Sequence, residues 1–426
     1  MEKLNYILKQ AKIIDPRSKH NGKIRDVLIV GNKITKISKK INFKKQFIEI
    51  KKDNLHISPG FFDLNTRIGE PGNEYKEDKE SGSNSLKNGG YTGFVYMPST
   101  KPPIQSSSDI NFIKSLFEKN ILDVFPTGCI TKNMKGLEIT EMNDMKKAGA
   151  ITFTDDLNSI DNPKVMSIAL EYSKLFKNPI FIFPFEKKLC VDGQINEGKI
   201  STLLGIKGIP NISEEIRVNR DIELAKYYDG RLHFSAISSF KSLQLINKAK
   251  ENRTHVSSDI PAYQLILNDE MISEFDSNLK VLPPIRNKIN QKKLIQSIKK
   301  GMIDAISSNH HPVELEKKKC SFKNSEFGMI GLETSFSIIN TVLKNVIELD
   351  KLIELISINP KKILNIECPK IEENETANLT LFDPEKKWVY KNSDIKSKSK
   401  NSPFINYKFT GKTLGIINNG LHYLSD

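Results

Sequence analysis

The chain has 426 residues, 38% of them hydrophobic and 27% charged, which is long enough for a large buried core plus a smaller second unit. Basic residues outnumber acidic ones by 65 to 51, a net charge of +14. They are spread along the chain rather than striped, which reads as a lysine-rich solvated surface and not as a nucleic-acid interface. No apolar run reaches the roughly 18 residues of a membrane span, and the start MEKLNYILKQAKIID has neither an apolar stretch nor a small-residue cleavage site. Cys129, Cys190, Cys320 and Cys368 lie far apart and form no C-x-x-C pair, which fits reduced thiols and a cytoplasmic location.

Taken in order, residues 1–55 alternate apolar and polar side chains in YILKQAKIID, DVLIVGNKITKISK and QFIEIKKDNLHI, the period of strands. From there strand-like runs alternate with amphipathic helices. GYTGFVYMP precedes SDINFIKSLFEKN, ILDVFPTGCI precedes TEMNDMKKAG, and AITFTDD precedes NPKVMSIALEYSKLFKN. NPIFIFPF is followed by SEEIRVNRDIELAKYY, a predicted helix with Ser213 as its cap, and RLHFSAIS by SFKSLQLINKAKE. Residues 376–426 return to strand texture in ANLTLFDP, KWVYK and TLGIINNGLHYL. The order predicts an α/β fold: a (β/α)8 TIM-like barrel over residues 56–369, flanked by a small β-sandwich built from residues 1–55 and 370–426. An open doubly wound sheet is the runner-up, but no G-x-G-x-x-G follows the first strand. The polar stretch NSDIKSKSKNSPF predicts a mobile loop.

The stretch PGFFDLNTRIGEPG at 59–72 resembles the first metal-binding strand of the dihydroorotases, in the cyclic amidohydrolase superfamily, where the pattern is P-G-[FL]-[IV]-D-x-H-x-H-x-R-E-P-G. Pro59, Gly60, Asp63, Glu70, Pro71 and Gly72 keep that frame. The resemblance continues through MPSTKPP (97–103), TFTDD (152–156), FPFEKKL (183–189), INEGKISTLLGIKGIPNISEEIRVNRDIELA (195–225), RLHFSAIS (231–238), KVLPPIR (280–286) and AISSNHHPVE (305–314).

The family uses zinc, held by histidines and carboxylates at barrel strand ends, to activate water and polarise a carbonyl. By resemblance those ligand positions here hold Asn65, Arg67, Pro184, Ala236 and Asn309, none a competent ligand, and Asn309 also replaces the general-base aspartate. Asp155 is the one retained ligand position, and Arg67 is the expected cation beside it, with Asp156 next in the chain. The substrate positions hold Gly69, Ser99, Leu282 and Val313. His233 is expected to be a packed histidine, and the adjacent His310 and His311 to point to opposite faces. The resemblance therefore implies a dihydroorotase-like protein of de novo pyrimidine biosynthesis that has lost metal-dependent cyclic amide hydrolysis. It would hold no cofactor and act as a structural or regulatory subunit. Implied partners are aspartate carbamoyltransferase or an active dihydroorotase paralogue, with a homo-oligomer also expected. Two alternatives remain: an active dihydroorotase or related cyclic amidase, interconverting carbamoyl-aspartate and dihydroorotate through an altered site, and a small-anion binding protein.

Overall fold

The computed structural model describes residues 5–44 and 46–425; residues 1–4, on which the reading of the N-terminal start partly rests, lie outside them. Seven parallel strands and one bridging segment close into a barrel. Phe61–Thr66, Tyr91–Tyr96 and Asp123–Pro126 pair in order. Ile180–Ile182, Leu232–Phe234, Val256–Pro261 and Ala305–Ser307 do the same. Phe153 joins the two sets: it bridges to Gly128, and its carbonyl accepts from the Phe181 N–H at 2.9 Å. Thr66 bridges in parallel to His310 and closes the ring. Amphipathic helices cover the outside, and Phe61, Phe62, Phe94, Phe153, Phe181 and Phe234 are fully buried between them and within the ring.

One helix start differs from expectation. The helix Ile212–Tyr228 begins one residue before Ser213, and its cap Asn211 makes no side-chain cap bond. Ser213 is buried inside the first turn, because the preceding Pro210 carbonyl already takes its N–H at 3.2 Å.

The two chain ends form a single eight-stranded sheet. His56–Pro59 is the seam: it runs parallel to Asn5–Ile13 and antiparallel to Leu379–Val389. Tyr6, Leu8, Val27, Ile57, Leu379, Leu381 and Ile417 pack into one core beneath it. The barrel's first strand leaves directly from this seam, so the sheet fixes where the mouth loops begin.

The Lys/Ser-rich stretch is not the mobile loop its composition suggests. Residues 396–401 lie strapped over the loops that follow the first and last barrel strands. Glu333 accepts from the Lys396 and Ser397 N–H groups at 2.8 and 2.9 Å, and from Ser85 Oγ at 2.8 Å. Glu77 accepts from the Lys398 N–H at 3.0 Å and from Ser397 Oγ. Asn401 bridges the loop after the last strand, donating to the His311 carbonyl at 3.1 Å and accepting from the Val313 N–H at 3.2 Å. Two buried carboxylates far away in sequence supply what composition could not reveal.

Candidate functional site

Barrel enzymes carry their chemistry on the loops at the C-terminal ends of the strands. There Arg67 turns inward and is 7% exposed. Its Nε and Nη2 donate to the two oxygens of Asp156 at 2.8 and 2.5 Å, a two-pronged pair. Its Nη1 donates to Asn309 Oδ1 at 3.1 Å. Asn309 is held in turn: its Nδ2 donates to the Leu282 carbonyl at 3.0 Å and to the Tyr263 hydroxyl at 3.3 Å.

The partner of Arg67 is thus Asp156 and not Asp155. Asp155 faces away and accepts from the Ile130 and Thr131 N–H groups, both at 2.9 Å, and from Thr131 Oγ1. Burial lifts its pKa to about 6 against the pull of those donors. Asp156 reaches the mouth because its backbone is left-handed, at φ +51°.

The remaining ligand positions scatter. Asn65 is buried, and its Oδ1 has no protein partner. Pro184 is buried beyond the strand Ile180–Ile182. Ala236 sits at φ +57° with its N–H 3.3 Å from Asp259. His233 is fully buried, with its ring nitrogens 2.8 Å from Ser257 Oγ and 2.9 Å from Asp259 Oδ2. The neighbouring histidines diverge. His310 Nδ1 accepts from the Gly331 N–H at 3.2 Å and its Nε2 lies 3.4 Å from Glu77. His311 lies on the wall of a mouth cavity, where burial first, then Arg67 and Lys76, hold its imidazole well below its ordinary pKa.

That cavity measures about 210 Å³, and Arg67, Gly69, Ser99, Asp156, Asn158 and His311 are on its wall. Of the four substrate positions, Gly69 and Ser99 line it. Leu282 contributes its carbonyl to Asn309, and Val313 is buried beside Asn401. A side chain at residue 69 has no room, because a Cβ there would come within 2.1 Å of the Asn73 carbonyl oxygen. Tyr263 and Glu77 also shape the site. Tyr263 lies in the segment Pro261–Leu265, whose family counterpart often reads P-H-H-L. Glu77 carried no sequence signal.

A family profile described as Dihydro-orotase-like matches residues 55–242. The dihydroorotase of Caldicellulosiruptor saccharolyticus is 38% identical over 419 residues, 97% of each chain. That of Elusimicrobium minutum is 35% identical, covering 98% of this chain and 99% of its own. The chain belongs to the dihydroorotase family. The fold agrees: L-hydantoinase from Arthrobacter aurescens superposes with a TM-score of 0.87 at 20% identity, over 99% of this chain and 96% of that one. Dihydropyrimidinase from Brevibacillus agri gives 0.83 at 17% identity, over 99% and 95%.

The dihydroorotase resemblance implies zinc at this mouth, and the residues present do not fit it. Among the described residues no three His, Cys, Asp or Glu side chains converge on a metal-sized centre. Asp156 is paired with a guanidinium, which stays protonated and cannot ligate. Asp155 is engaged by two backbone N–H groups and the Thr131 hydroxyl, and His310 looks toward Glu77. Among the described residues no helix is long and apolar enough to cross a membrane.

Proposed function

We propose that this member of the dihydroorotase family serves pyrimidine biosynthesis without metal-dependent cyclic amide hydrolysis of its own, as a structural or regulatory subunit. The observation that carries this reading is the contact of Arg67 with Asn309. A fixed cation and a neutral amide meet where such a hydrolysis needs a dication and a carboxylate base. An amide accepts no proton at useful pH, so nothing at that position activates water. Aspartate carbamoyltransferase or an active dihydroorotase paralogue is the partner this role calls for.

The relatives favour a second reading. They match over nearly the whole chain at 35–38% identity and are named dihydroorotase, so the chain itself would interconvert carbamoyl-aspartate and dihydroorotate through an altered site. Asp156 and His311, both on the cavity wall, are the titratable groups such an enzyme would use. Small-anion binding loses its motive, since the guanidinium of Arg67 is already matched by Asp156 and Lys76 lies 3.2 Å from Glu326. Purified protein assayed for dihydroorotate formation, with and without added zinc, separates the first two. Absence of turnover in both supports the first reading, and turnover establishes the second.

A further inference from the structure

Loss of ligands explains why a metal would not be held. It does not explain how the mouth keeps its shape without one. Asp156 is 7% exposed, and a buried carboxylate needs a cation or must take up a proton. The cation here arrives on the chain itself. Arg67 extends from the end of the strand Phe61–Thr66, Asp156 from the segment after Phe153, and Asn309 from the end of Ala305–Ser307. Strands one and eight are neighbours in the ring, whereas the fourth lies across it, so the guanidinium spans the mouth. Each contact is itself braced. Asn309 is oriented by Leu282 and Tyr263, and the Arg67 N–H donates to the His310 carbonyl at 3.2 Å. The Asp156 N–H donates to Thr154 Oγ1 at 3.0 Å.

We propose that Arg67 is a resident cation which takes over the cross-linking role of a mouth metal, tying three strand ends together around Asp156 and closing the site to a dication. The inference deepens the non-catalytic reading and rests on the same missing ligand set. A guanidinium suits the role: it keeps its charge at all working pH values, matches a carboxylate with two parallel bonds, and has further N–H groups for a third strand.

The test is a double-mutant cycle read by thermal unfolding, on the full chain, with Arg67→Met, Asp156→Asn and the pair combined. Removing one member of a buried ion pair strands the other, so each single variant is expected to lower Tm on the order of 3–6 °C. The combined variant is expected to recover at least half of that loss, and a soluble double variant where a single one fails to fold counts as the same rescue. Additive losses, or an Arg67→Met protein with unchanged Tm, overturn the inference. In parallel, wild-type protein dialysed against zinc and then zinc-free buffer is measured for metal, and its Tm is read with and without a chelator. Negligible zinc and an unchanged Tm support the proposal. Stoichiometric zinc overturns it together with the functional reading. The two ideas otherwise fail separately: an additive cycle removes the cross-link and leaves the non-catalytic reading, whereas dihydroorotate turnover with an intact cycle does the reverse.

Discussion

His233 and Asp259 face each other inside the barrel at 2.9 Å, and neither side chain reaches solvent. The ring also lies 4.3 Å from that of Phe181, and its other nitrogen meets Ser257. Histidine is here a core residue that satisfies a buried carboxylate. His233→Ala removes the nearer of two partners of Asp259 Oδ2 and opens a hole beside Phe181. The expected loss is about 2–4 kcal/mol in urea unfolding. A variant as stable as wild type would show that the contact is dispensable.

Lys318 is 4% exposed and donates to the Ser277 carbonyl at 2.8 Å. Burial, reinforced by the nearby Lys280 charge, pushes its pKa down from 10.5 to about 7. Between those two values the unfolded chain binds a proton that the folded chain has released. Stability from this group therefore rises with pH from about 7 upward, and is lost as pH falls through the folded value. Unfolding midpoints in urea at pH 7 and pH 9 should show that rise in wild type, and a flatter response in Lys318→Met.

The strap at 396–401 depends on Glu77 and Glu333. In the double variant Glu77→Ala/Glu333→Ala, the 396–398 backbone loses its charged acceptors. Tryptic cleavage at Lys396, Lys398 and Lys400 should then accelerate at least about tenfold, since each such bond contributes on the order of 1.5–3 kcal/mol. Mass mapping of the first fragments gives the answer. An unchanged cleavage rate would mean that the strap is held by other contacts.

Ala236 occupies a left-handed backbone conformation that its Cβ disfavours. Ala236→Gly should stabilise the protein by about 0.5–1 kcal/mol, because relief of strain outweighs the added freedom of the unfolded chain. Chemical denaturation resolves a change of that size.

Much of this was legible in the residues. The alternation of strand and helix, and the strand texture shared by the two ends, led to the barrel and the joined terminal sheet. Arg67 and Asn309 could be placed at the mouth because Pro59-Gly60 and the surrounding frame fix the register. The choice between Asp155 and Asp156 could not be read. It turns on the backbone N–H groups of Ile130 and Thr131, 25 and 24 residues upstream, which capture the first carboxylate, and on a left-handed backbone at the second. The strap was hidden for a similar reason. Six consecutive polar residues look solvated unless one knows that Glu77 and Glu333 lie beneath them.

The strap also dictates an order of events during synthesis. Glu77 and Glu333 are buried, yet their donors at Lys396, Ser397 and Lys398 are made only after the whole barrel, more than 60 residues beyond Glu333. Until that segment emerges, the nascent barrel holds two carboxylates with too few donors, and a chain cut short before it would keep them that way.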